Sequence, residues 1–159
     1  GAIFQMFAHG LVSAALFIIA GSIGHRAGTR NLSELGGITS VNPRTSTFLM
    51  IAFLASLGLP GLVGFVAELS VLLGTYAAFG LLVFVPILTV ILTAAYYIWA
   101  MQRAIFGPPN PRWKDLHDME RHEVAPLAVL SVLIAFFGIL PFLLLDMTLE
   151  WSARVLGVA

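Results

Sequence analysis

Cysteine is absent from this 159-residue chain, which excludes a disulfide framework, a thiolate metal site and a cysteine-ligated iron–sulfur cluster within it. Charge is scarce. Asp, Glu, Lys and Arg make up 10% of the residues, against about 25% in a soluble domain, so a water-facing globular domain fits poorly. The charges that exist sum to zero, leaving no basic surface for nucleic acid. Strand alternation and short-period repeats are missing, as are a phosphate-binding glycine loop, a nucleophile elbow and a dinucleotide fingerprint. Ser, His and Asp occur, but nothing places them as a catalytic triad. No basic segment or small-residue cleavage site precedes the first apolar run, so that run is not read as a secretory signal. The chain opens inside that run, at Gly1-Ala2-Ile3-Phe4, which leads us to expect a piece of a longer polytopic protein.

What the chain does have is apolar surface. It is 59% hydrophobic, with 12 Phe, 3 Trp and 3 Tyr, and its mean hydropathy is +0.97. Only helices or closed barrels cross a bilayer, and runs this long and apolar mean helices. Crossing takes roughly 20 such residues. The expected fold is therefore an all-α membrane protein of about four transmembrane helices, near 1–24, 46–78, 82–106 and 124–145. The second is discontinuous, broken at Gly58-Leu59-Pro60-Gly61, where proline removes a backbone donor and glycine eases unwinding. Gly64 follows closely enough to extend the interruption over a turn. Residues 1–147 are expected to form the bundle and 148–159 a short amphipathic tail, with the turn between the second and third spans around Ala78–Gly80.

Two polar stretches, 25–45 and 107–123, connect the spans. With four crossings they share one side. Arg26, Arg30, Arg44, Arg103, Arg112, Lys114 and Arg121 belong to that side, and Arg154 alone falls opposite. Loops rich in Lys and Arg stay in the cytoplasm, so both stretches are predicted cytoplasmic. His117, Asp118, Glu120, His122 and Glu123 in the second stretch lack metal-site spacing and are read as a solvated connector.

Thr45 to Ala67 carries no formal charge; Glu68 follows, and the next charge is Arg103. An ionisable group in mid-membrane costs a few kcal/mol and normally faces protein or water. A helix break is tolerated only where freed backbone is buried in protein or lines a hydrated cavity. Burial disfavours the charged carboxylate and a half-helix N-terminus favours it, an opposition suited to loading and unloading a proton. The competing reading is a carboxyl that only locks helix packing. Gln5, His9 and Ser13 fall on one face of the first helix. His9 can pass a proton between its two nitrogens, or serve as interhelical glue. Thr89, Thr93 and Tyr96 share a face of the third helix, where packing explains the hydroxyls as well as a water chain does. Pro86 in that helix is a candidate kink.

The segments Gly1–Gly10 (GAIFQMFAHG), Arg30–Ile38 (RNLSELGGI) and Ser56–Gly74 (SLGLPGLVGFVAELSVLLG) resemble, in order, the late helices of the antiporter-like membrane subunits of respiratory complex I, and among them the subunit M branch of NADH:quinone oxidoreductase. The resemblance covers essentially the whole chain. It implies about fourteen helices in the full subunit, in two inverted repeats of five, each with a broken helix. On that plan the first two helices here, or more strictly the first three, end the second repeat, and the rest close the subunit. It also implies that Glu68 stands where subunit M carries glutamate on its second broken helix, and that His9 matches the proton-path histidine of the preceding helix. Further key groups of the family, a glutamate and lysines, would lie upstream.

The function so implied is proton translocation through buried His and Glu, as one subunit of a translocating NADH:quinone oxidoreductase. The chain itself would hold no redox active site, catalytic residue, metal or cofactor; NADH, FMN, iron–sulfur clusters and quinone would be held by partner subunits. Its partners would be neighbouring membrane subunits, the lipid bilayer, protons and water, most plausibly in a bacterial inner membrane. The alternative is a subunit of a multi-subunit cation/proton (Na+/H+) antiporter, which shares the broken helix. A third reading is a scaffold whose polar groups only hold helices together.

Overall fold

The computed structural model describes residues 1–108 and 110–157, and contains no strand among them. Its α-helices are α1 (Ala2–Ala27), α2 (Pro43–Ser56), α3 (Val63–Phe79), α4 (Phe84–Ala104), α5 (Arg121–Ile139) and α6 (Phe142–Leu156). Short 3₁₀ turns lie at Ile38–Ser40, Gly80–Val83 and Pro111–Trp113. Pro109 of the second polar stretch and the last two residues of the expected tail lie outside the described residues.

Lengths decide which helices cross. The 26 residues of α1 reach about 39 Å at 1.5 Å per residue, more than the roughly 30 Å of hydrocarbon. The 14 residues of α2 and 17 of α3 are each too short alone, and together, through the break, they make one discontinuous span. The apolar stretch Val63–Ala104 holds 42 residues, about twice what a bilayer needs. It folds at Gly80, whose φ of 57° and ψ of −123° suit only glycine. The result is four crossings: α1, α2–α3, α4 and α5. Little of these apolar faces is covered by the chain itself. Leu81, Leu82, Phe84, Val85, Leu88, Ile91 and Leu92 are all exposed, as lipid- or partner-facing side chains must be.

The core lies along α1. Its buried residues Phe4, Ala8, Val12, Ala15, Ile19 and Ser22 recur every three or four positions, so one stripe meets α2, α3 and α5. Small residues share in that packing: Ala52 and Ala55 of α2, Ala67 of α3 and Ala104 of α4 are buried beside larger Leu49, Leu127 and Ile134. Without a hydrophobic drive inside lipid, close backbone approach through small residues supplies the packing.

The two polar stretches are sewn to each other. Asn110 Nδ2 and Trp113 Nε1 both donate to the Glu34 carbonyl, at 2.9 and 3.0 Å. Thr39 Oγ1 donates to the Ile105 carbonyl and Asn42 Nδ2 to that of His117. The carboxylate of Asp118 accepts from the amides of Arg44 (2.8 Å) and Thr45 (3.1 Å) and from the Thr45 hydroxyl (2.8 Å), capping the N-terminus of α2 from another loop. Arg26, at the end of α1, clasps the Glu123 carboxylate with both terminal nitrogens. The structure thus places both stretches at one end of the bundle. It also corrects the solvated-connector reading for Asp118 and Glu123, whose carboxylates are engaged with residues 70 to 100 positions away.

Three boundaries differ from the sequence reading. The fourth span ends at Ile139, not near 145. Pro141 cannot continue the helix, and Leu140 before it leaves the α region, at φ −119° and ψ 58°. The helix resumes as α6 and runs through Leu156, so the expected boundary at 147/148 falls inside a helix. Gly64 is no part of the interruption, being the second residue of α3. Pro86 lies in the first turn of α4, where its missing N–H would have had no helical acceptor, so nothing there requires a kink.

Candidate functional site

The helix break is built from backbone that favours glycine. Gly58 has φ +69° and Gly61 φ +93°, with Pro60 between them. Leu57 and Leu59 still donate back into α2, to the carbonyls of Phe53 and Leu54, so α2 ends tightly. The break is then gripped from both sides. A Cβ on Gly64 would strike the Ala55 carbonyl, and one on Gly138 of α5 would strike the backbone of Gly61 and Leu62. The N-terminus of α3 has no side-chain cap, which leaves first-turn amides and the positive end of its dipole beside the break.

Glu68 lies in the second turn of α3 and is half-buried. On one side its carboxyl rests against the Cα of Gly58: a Cβ there would stand 3.1 Å from Glu68 Cδ and closer still to Oε2. On the other side it faces a cleft of about 460 Å³ between α1, the end of α2, α3 and α4. Most of its polar lining comes from three helices. Gln5, His9 and Ser13 project from α1, Glu68 from α3, and Thr89, Thr93 and Tyr96 from α4. Such a volume holds on the order of ten waters.

Within this lining, Ser13 Oγ is 3.3 Å from both ring nitrogens of His9, so either tautomer finds a partner. Gln5 Oε1 is buried with no donor among the described residues. His9 and Glu68 share no direct hydrogen bond among the described residues.

His9, expected to be buried, is exposed within this chain. Every polar residue singled out in the membrane segments lines one space, and Gly58 of the break touches Glu68 there. Ser56 and Tyr97 line it as well, and the sequence reading missed both. Tyr97 was legible, standing four residues after Thr93 on the same face; Ser56, the last residue of α2, carried no signal beyond its nearness to the break. No group of three or more His, Asp or Glu suited to a metal occurs among the described residues.

Residues 1–95 match the transmembrane family described as NADH:quinone oxidoreductase/Mrp antiporter. The F(420)H(2) dehydrogenase subunit M of Methanosarcina mazei is 42% identical over 159 residues, which is 100% of this chain and 32% of that protein. The NADH-quinone oxidoreductase subunit M of Rickettsia felis is 37% identical over 147 residues, 92% of this chain and 30% of that protein. The chain thus spans about a third of the length of these relatives. Among solved structures, the respiratory complex I of Thermus thermophilus with bound NADH contains a chain 33% identical, covering 87% of this chain and 29% of that one, with a TM-score of 0.76. The Mrp complex from Dietzia sp. DQ12-45-1b gives a TM-score of 0.80 over 96% of this chain and 36% of that one, at 22% identity, a likeness of fold alone.

Proposed function

This chain belongs to the NADH:quinone oxidoreductase/Mrp antiporter transmembrane family, and on that premise we propose that it is part of a proton-translocating membrane subunit of a complex I-type NADH:quinone oxidoreductase. The observation that carries the proposal is the position of Glu68, a half-buried carboxyl set between an unwound helix and a cleft that it shares with His9. His9 receives a proton and passes it through water in the cleft, with the hydroxyls of Ser13, Thr89 and Thr93 as way stations. Glu68 takes it up and releases it toward the far face. The neighbouring break supplies what a charged carboxylate needs at this depth: unpaired amides, a positive dipole end and hydration.

Electron transfer takes place elsewhere in the assembly. NADH, FMN, iron–sulfur clusters and quinone belong to partner subunits, and energy reaches this chain through its membrane neighbours. The host membrane is a bacterial inner membrane, with residues 25–45 and 107–123 cytoplasmic. The joint position of these stretches and their share of Lys and Arg support this orientation.

Replacing Glu68 with Gln in the complete subunit, within its assembled complex, tests the role. Proton pumping in inside-out vesicles should fall by about a hundredfold, the lower end of what a positioned proton-transfer group contributes, with the complex still assembled. Unchanged pumping rejects the proposal. The transported ion and the electron donor are separable questions. Transport that requires sodium would move the chain to the antiporter branch of the family. Quinone reduction driven by reduced F420 and not by NADH would change the donor and leave the role of Glu68 intact.

A further inference from the structure

We propose that Gly58 is a positioning residue for Glu68: its bare Cα forms the seat against which the carboxyl rests, so that the break sets both the depth and the direction of the proton-carrying group. The inference depends on the role given to Glu68 above. It adds that the break acts through steric contact as well as through freed backbone.

Several observations converge on this position. Gly58 and Gly61 both have positive φ, so the backbone favours glycine at both. Their surroundings are opposite. A Cβ on Gly61 meets nothing within 4 Å, whereas one on Gly58 meets Glu68 Oε2, Cδ and Oε1 in turn. The missing side chain at Gly58 is therefore filled by one particular carboxyl. The seat cannot retreat either. Gly58 N donates to the Ala55 carbonyl; that carbonyl is pressed against Gly64 of α3, and the following residues Gly61 and Leu62 are pressed against Gly138 of α5. Three close backbone approaches hold the platform, so a methyl group added at Gly58 displaces the side chain in front of it. The cleft that it shares with Gln5 and His9 leaves room for that displacement.

The test compares three variants of the complete subunit in its assembled complex, read out as pumping in inside-out vesicles alongside quinone reduction. Gly58→Ala should lower pumping by about tenfold or more, since misplacing a reacting group by about 1 Å can cost on the order of a hundredfold. Gly61→Ala, which carries a backbone penalty at least as large but touches no carboxyl, should lower it less. Gly58→Ala combined with Glu68→Asp, whose carboxyl is one methylene shorter and clears the new methyl, should pump at least about threefold better than the product of the two single effects, the sign of direct coupling. Equal losses at 58 and 61, with no rescue by Glu68→Asp, would assign the effect to backbone strain and overturn the proposal.

If Gly58→Ala fails to assemble, Gly58→Asn replaces it, because asparagine tolerates positive φ while still placing a Cβ in the seat. Failure of both to assemble, with or without Glu68→Asp, makes Gly58 a folding requirement and also overturns it. Normal pumping by Gly58→Ala alongside loss in Glu68→Gln refutes the seat alone. Normal pumping by Glu68→Gln refutes the function beneath it.

Discussion

At the loop face, polar groups find protein partners at long range: Glu34 with Asn110 and Trp113, Asp118 with Arg44 and Thr45, Arg26 with Glu123. An exception is Asn42 Oδ1, which is buried without a donor. Along the cleft the pattern reverses. Among the described residues, Thr89 bonds only its own helix, His9 bonds only Ser13 one turn away, Gln5 Oε1 has no donor, and Glu68 rests on a glycine. A hydrogen bond between two protein groups fixes them in place. A polar group left to water can reorient and exchange protons. The molecule thus concentrates its directed interactions at the loop face and has few of them along the cleft proposed above as the proton route.

Perturbing each region in turn tests that contrast. The largest effect expected at the loop face follows Arg26→Met, which leaves Glu123 partly buried without its cation. Hydrogen bonds to charged groups are worth about 1.5–3 kcal/mol, so the complete subunit should lose about 2 kcal/mol of stability, roughly a thirtyfold shift in its folding equilibrium. Thermal unfolding in detergent measures it. Complexes that still assemble should pump normally, and impaired pumping in them would mean that the loop face does more than hold the bundle. In the cleft, His9→Leu should do the reverse, lowering pumping about tenfold at unchanged unfolding temperature. That is a smaller loss than at Glu68, because water can bypass one relay group. A stability loss with pumping preserved would return His9 to the role of interhelical glue.

The smallest effect concerns Asp118. Partial burial pushes its carboxyl up, but the amides of Arg44, Met119 and Thr45 and the Thr45 hydroxyl outweigh that and hold it below the ordinary value of 3.8. A carboxyl lowered on folding stabilises the fold fully above its unfolded pKa and loses that contribution as pH falls through its folded value. Asp118→Asn should therefore cost about 1 kcal/mol at pH 7, the usual worth of a helix cap. The gap between variant and parent should close as pH drops below 3.8. A gap independent of pH would show that the cap acts without its charge.

Much of this was visible in the sequence, for physical reasons that also mark the boundary. Hydropathy reports transfer into lipid, so the four crossings and the anomaly of Glu68 stood out against a neutral background. Gly58-Leu59-Pro60-Gly61 announced the break through backbone chemistry that needs no partner. The end of the fourth span was misplaced because Ile139–Leu145 stays apolar across Pro141, and hydropathy does not register a missing amide. Asp118 and Glu123 were passed over because their partners lie on other elements. The seat at Gly58 and the grip of Gly138 on the break are contacts between glycines and distant groups, and such contacts leave no trace in local pattern.

α4 walls one side of the cleft. Ala100, Met101 and Ala104 bury its loop-side end, and the turn at Gly80 tethers the other. Thr89 and Thr93 look inward, while Leu88, Ile91 and Leu92 on the opposite surface are more than half exposed. A helix is about 10 Å across, so whatever lies against those leucines and that isoleucine is one helix away from the cleft that Glu68 faces. Pressure from a neighbour on that outer surface would tilt the same rod that carries the inner hydroxyls. A mechanical signal would then reach the proposed proton route with no chain of intermediaries.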